Sequence, residues 1–200
     1  MTLVERSINK DGLILKPSRP LATPDYLLWQ NSSSNVELET FSEIDGWRFG
    51  IILLSNVGRV NLDIKNYQFF SQHREYVSVE FKNGKYRPRR WNVENQLVTD
   101  KNDLTIQYTS PLWHMVNHTL ALLGELGKWT PVSPQRFTKI DVNKNFVRID
   151  FKGAPFESVS MKFLLGDKNE TSNNYIVKNC IVGKSGRHQI LIDSSGKFIC

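Results

Sequence analysis

Residues 111–129 read "PLWHMVNHTLALLGELGKW", and whether this stretch is helix or strand decides the fold class. As a helix it would start at Asn117 as cap and stop at Gly127, with Leu122 and Leu126 four apart on one face. As strands, "WHMV" and "LALLG" are two runs joined by "NH". The apolar run is too short for its period to choose between them. The flanks choose. "TIQYTSPLW" alternates before it, and "KWTPVSPQRF" after it holds Pro131 and Pro134, which do not continue a helix. We read the stretch as strand–loop–strand.

Working outward, the same signal recurs. "VELETFS" (36–42) alternates, with Val36, Leu38 and Thr40 on one face. "DG" at 45–46 is a tight-turn dipeptide, and "WRFGIILLSNVG" (47–58) follows as a buried central strand, so 36–55 forms a hairpin. "YVSVEFKNGKYRPRRW" (76–91) is a second hairpin turning at "NG", and "DLTIQYTS" (103–110) alternates again. "FVRIDFKGAP" (146–155) and "ESVSMKFLLGD" (157–167) read as strands paired around Gly153 and Pro155. The last 27 residues or so give three short runs turning at "GKSG" and "SSG". Strand signals recur roughly every 8 to 14 residues, the spacing of an antiparallel sandwich. In front of them, "DGLILKPSRPLATPDYLLW" (11–29) carries Pro17, Pro20 and Pro24, which favour an extended course. "NSSSN" (31–35) is a polar break. The expected fold is all-β: an extended Pro-rich segment over 1–30, then an antiparallel β-sandwich over 31–200.

Composition bounds the function. The 200 residues are 40% hydrophobic and 23% charged, enough for one domain with a substantial core, or one domain plus a fragment of a neighbour. A net charge of +6 is modest and dispersed, and does not argue for nucleic acid. No run of about 18 apolar residues exists, so no membrane helix is expected. "MTLVERSINKDG" is charged by residue 5 and has no apolar core, which predicts no secretory leader in this chain. Acceptor tripeptides for N-glycans at Asn31, Asn117 and Asn169 are then expected to be chance matches. Cys180 and Cys200 are two isolated thiols, which fits a reducing, cytoplasmic setting better than a disulfide framework. His73, His114, His118 and His188 are scattered without metal-ligand spacing, and no cofactor motif appears.

Residues able to do chemistry are few. There is no G-x-S-x-G elbow and no phosphate loop. Glycoside hydrolysis needs two converging carboxylates, and the candidates are Asp25, Glu37, Glu39, Glu43, Asp45 and Glu125. Glu37 and Glu39 read as a solvated stripe, and Glu125, among glycines, as a turn charge. Asp25 lies in the Pro-rich loop beside Tyr26 and Trp29, a better setting for a ligand, although an Asp after Pro more often makes a turn hydrogen bond. The basic, aromatic run "KNGKYRPRRW" would suit a single strand of nucleic acid. Glu75, Glu80 and Glu94 lie close by, and a charged edge that blocks strand pairing explains the run better. Five tryptophans (29, 47, 91, 113 and 129) could stack on sugars or fill the core.

Three segments occur in an order that resembles the C-terminal part of the raffinose synthase and alkaline α-galactosidase branch of glycoside hydrolase family 36. They are "DGLILKPSRPLATPDYLL", "GWRFGIILLSNVG" and "YTSPLWHMVNHTLALLGELGKWTPVS". Asp11 and Gly12, Arg19 and Pro20, Asp25 with Tyr26 to Leu28, Gly50 to Asn56, and Tyr108 to Pro111 stand at the matching places. The resemblance implies the last loop of a catalytic barrel followed by the antiparallel sandwich that caps it. It also implies that both catalytic aspartates lie outside this chain. Arg19, Asp25 and Trp29 would approach an α-galactoside substrate, and the partner would be a catalytic barrel domain or subunit. A stand-alone carbohydrate-binding module using exposed tryptophans is the alternative. A protein- or nucleic-acid-binding sandwich using the 82–91 hairpin is a third and weaker reading.

Overall fold

The computed structural model describes residues 36–55, 59–61, 70–71, 74–82, 85–90, 96–98, 104–125, 128, 130–167 and 173–200. The Pro-rich segment falls outside them. Among the described residues every regular element is a β-strand, and every strand pair with a defined register is antiparallel. Two compact units divide the chain. One takes the described residues up to Ser42 and Arg48–Ser110, the other Glu43–Trp47 and Pro111–Cys200.

The first unit is built from β1 (Val36–Ile44) as far as Ser42, β2 (Trp47–Ser55) from Arg48 on, β3 (Arg59–Asn61), β4 (Glu75–Lys82), β5 (Lys85–Arg90), β6 (Gln96–Val98) and the start of β7 (Leu104–His114). β2 lies between β1 and β7, with Gly50 opposite Thr109 and Ser55 opposite Leu104. That central position explains its unbroken apolar run: Ile51, Ile52, Leu53 and Leu54 are all buried, so both faces are covered. β4 and β5 form the expected hairpin, with Phe81 opposite Tyr86 and Lys82 opposite Lys85. β3 and β6 make a separate two-stranded ladder. The turn joining β1 to β2 is the "DG" pair, and both residues have positive φ, 48° at Asp45 and 76° at Gly46. A two-residue loop with both centres left-handed matches the twist of the strands it joins.

The second unit is a sandwich. One sheet runs in the order β7 (its end), β8 (His118–Gly124), β11 (Ser158–Asp167) and β12 (Asn173–Ile181). The other runs β14 (Phe198–Ile199), β13 (Arg187–Asp193), β10 (Phe146–Lys152) and β9 (Phe137–Val142). Strand–loop–strand is therefore the structure of the stretch at 111–124. β8 is buried on both faces from Thr119 to Gly124, so "LALLG" shows neither a helical nor an alternating period. Alternation is clear in β10, where Val147, Ile149 and Phe151 are buried and their neighbours are not. Phe163 of β11 meets Phe198 of β14 edge to face at 5.0 Å, one of the contacts between the inner faces. The "SSG" turn is organised by Asp193. Its carboxylate accepts from the backbone N–H of Ser195 at 2.9 Å and of Lys197 at 3.0 Å.

Pairing departs from expectation at one place. β10 and β11 are strands, but they do not pair with each other. β10 lies between β9 and β13, and β11 between β8 and β12. The short "GAPFE" connection crosses from one sheet to the other. Gly153 N–H donates to Gly186 O at 3.0 Å on one side, and Phe156 N–H donates to Val182 O at 3.0 Å on the other.

Candidate functional site

The three residues expected to approach substrate, Arg19, Asp25 and Trp29, lie outside the described residues. Of the five tryptophans, Trp47 and Trp113 are described. Trp113 is 1% exposed and packs edge to face on the half-buried Trp47, centroids 5.6 Å apart. Trp113 is therefore a core side chain and offers no indole face to a sugar.

The polar constellation that the fold does assemble is centred on Arg136. The loop after β8 turns back through Ser133, whose carbonyl accepts from the backbone N–H groups of Arg136 at 2.9 Å and Phe137 at 2.8 Å. This places the Arg136 guanidinium, 7% exposed, between three acceptors. Nε donates to Glu125 at 2.9 Å, and Nη1 donates to the Lys152 carbonyl and to Glu157, both at 2.8 Å. Nη2 completes a two-pronged grip on the Glu157 carboxylate. Lys128 adds a second cation at 3.0 Å from Glu125. The Glu157 carboxylate also accepts from Ala154 N–H at 2.9 Å.

Two acidic side chains thus converge, but their chemistry is that of a clamp. A proton donor in glycoside hydrolysis needs a raised pKa. The Arg136 guanidinium instead holds the Glu157 carboxyl below its usual range, opposed only by partial burial. Hydrogen bonding to Glu157 in turn raises the pKa of Arg136, which stays charged. Glu125 does follow β8 outside the strand, and its side chain is 12% exposed and holds two cations. What the sequence could have offered was "PQRF", an arginine between a turn and an apolar strand, where a lone cation needs a carboxylate partner. Among the described residues no group of three or more His, Cys, Asp or Glu side chains is placed to hold a metal ion.

Among the described residues, the exposed apolar side chains include a row on β12. β12 ends the order of its sheet, and its outward row is Tyr175, Val177, Asn179 and Ile181, without a charge. Val177 is 47% exposed and Ile181 63%. On the inner side of the same strand, Cys180 is buried and bonded to Cys200, with Cα atoms 5.8 Å apart. This overturns the expectation of two isolated thiols: the bridge ties β12 to the end of the opposite sheet. Among the described residues no helix is long and apolar enough to cross a membrane.

No protein-family model matches this chain, and no curated protein matches it.

Proposed function

We propose that this chain is the β-sandwich portion of an α-galactosidase- or raffinose-synthase-like glycoside hydrolase, whose acid and nucleophile belong to a catalytic barrel outside it. The observation that carries the reading is positional. Parts of two of the three family-like segments fall on strands: "GIILLS" is the last six residues of the nine-residue β2, and "YTSP" lies within β7. A two-sheet antiparallel unit follows over Pro111–Cys200, the kind of unit that the resemblance places after a barrel. On this reading the sandwich supports the barrel, and Arg19, Asp25 and Trp29 reach toward an α-galactoside. The Cys180–Cys200 bridge favours an oxidising compartment over the cytoplasm first expected.

The second reading, a stand-alone carbohydrate-binding module, would draw its platform from the remaining tryptophans, since Trp113 is enclosed. An antibody raised against the second unit separates the two in cells of the source organism. We expect it to detect a chain much longer than 23.1 kDa, or a complex with a barrel-bearing subunit, that cleaves an aryl α-galactoside. The purified 200-residue chain is expected to leave that substrate intact. Cleavage by this chain alone would place the acid and nucleophile inside it. A free 23.1 kDa species with no associated glycosidase would overturn the proposal.

A further inference from the structure

We propose that Asn117 is an N-glycan acceptor, modified on the nascent chain before β8 joins β11. Asn117, His118 and Thr119 form the acceptor tripeptide. Such tripeptides arise by chance, so placement decides. Asn117 sits between β7 and β8, outside both strands. The turn is fixed from both sides by backbone: Met115 N–H donates to His118 O at 2.8 Å, and Val116 N–H donates to Lys144 O at 2.9 Å. The Asn117 side chain is exposed, as are Val116 beside it in sequence and Lys144, whose carbonyl holds the turn. A branched sugar leaving this point enters water and would lie over Val116, an apolar side chain 49% exposed.

The bridge is the second and independent observation. A disulfide between Cys180 and Cys200 belongs to a compartment where thiols are oxidised. In eukaryotic cells that compartment is also where asparagine receives its glycan. The inference draws on the bridge and not on the glycosidase reading, so either can fail alone. Asn31 and Asn169, the other two acceptors, lie outside the described residues and contribute nothing to it.

The fold dates the event. Thr119 is 3% exposed, its hydroxyl donates to Gly166 O at 3.3 Å, and it pairs with Gly166 of β11 and His114 of β7. A transferase that must reach the threonine hydroxyl finds it covered in the finished sandwich. Transfer therefore precedes the β8–β11 pairing. In the step, Asn117 Nδ2 attacks the anomeric carbon of an oligosaccharide carried on a lipid pyrophosphate. A C–N bond forms and the amide loses one proton. The anomeric C–O bond breaks, and the lipid pyrophosphate leaves with the electron pair.

The test directs the full chain into the secretory pathway of a eukaryotic cell, with Asn31→Gln and Asn169→Gln leaving Asn117 as the remaining acceptor. Treatment with peptide-N-glycosidase is expected to raise gel mobility by one glycan step and to convert Asn117 to Asp by mass spectrometry. Asn117→Gln should abolish both signals, while Thr119→Ser should retain them. Because transfer occurs on the nascent chain, a variant that folds poorly still reports the site. Chain recovered with the bridge formed and Asn117 unmodified would overturn the proposal. A second arm offers microsomes the refolded, bridged chain and the same chain reduced and unfolded. Modification of only the unfolded form is expected, and equal modification of both would overturn the stated order of events.

Discussion

The Asp45 carboxylate, at the tip of the β1–β2 hairpin, accepts a hydrogen bond from the backbone N–H of Ile140 in β9 at 2.8 Å. β9 ends the order of its sheet, and Ile140 is 3% exposed, so this N–H has no ready access to water. The turn residue thus does two jobs, accepting a left-handed φ and capping an edge donor. Replacing it by alanine loses both and should cost about 2 kcal/mol. Asp45→Asn keeps an acceptor oxygen and tolerates the same φ, so its urea midpoint should stay close to that of the parent. An Asp45→Ala loss no larger than the strain of its φ, about 1 kcal/mol, would mean that the contact contributes nothing.

The Arg136 clamp should be a major local stabiliser. Arg136→Met strips one cation from two carboxylates, one of them 12% and the other 32% exposed, and removes a donor from the Lys152 carbonyl. Glu125 keeps Lys128 and Glu157 keeps the Ala154 N–H, so the loss should be about 2 kcal/mol, below that of a fully buried charge left alone. Chemical denaturation of the purified variant checks this. A loss under about 0.5 kcal/mol, the scale of an exposed pair, would contradict the clamp.

The same clamp sets an acid limit. Glu157 has its pKa lowered in the fold, chiefly by the hydrogen bond from Arg136, so the unfolded chain binds the proton more readily. The stabilisation is complete above the ordinary glutamate range near 4.5 and is lost as pH falls through the lower folded value. Asp193, held down first by the Ser195 hydroxyl, acts in the same direction. Urea midpoints measured from pH 7 downward should therefore fall more steeply in the parent than in Glu157→Gln. Parallel curves would remove Glu157 from the account.

Two glycines with similar φ should respond differently to alanine. Gly46 has φ 76° and open space around a Cβ, so Gly46→Ala should cost about 1 kcal/mol of backbone strain. Gly124 has φ 73°, but its Cβ would run into the Pro131 carbonyl and Val132. That carbonyl is fixed by Glu125 N–H at 2.9 Å and cannot step aside. Gly124→Ala should therefore cost about 3 kcal/mol or prevent folding of the second unit, read by thermal melting.

Removing the bridge should loosen one end of the sandwich first. Cys180 and Cys200 are separated by 20 residues, and closing a loop of that length is worth about 3 kcal/mol. Cys200→Ser should lose about that much. Amide exchange should rise first at Leu191 and Ile192, which pair with Ile199 and Phe198. Exchange that rises uniformly instead would show that the bridge acts on the whole unit.

The sequence carried the strands better than their partners. The "DG" and "NG" hairpins were legible because turn chemistry is local. β8 was legible only through its flanks, since a strand covered on both faces loses its period. Pairing β10 with β11 went wrong because "KGAP" reads as a turn. Yet Val147 and Ile149 match Ile192 and Ile190, which lie more than 40 residues along. Gly153 is pressed against Arg136 and Glu157, and the connection leaves the sheet there. The Arg136 clamp and the Cys180–Cys200 bridge were invisible for the same reason: each joins segments whose adjacency only the sheet order supplies.

The uncharged outward row of β12 has a practical consequence. Neither Tyr175, Val177, Asn179 nor Ile181 can repel a neighbouring molecule by charge, and soluble proteins commonly place a lysine on such an edge. On concentration, particles should grow in light scattering well below the melting temperature. A single Val177→Lys change should raise the usable concentration several-fold while leaving the melt unchanged. If so, solubility rather than unfolding would set the ceiling on working concentration.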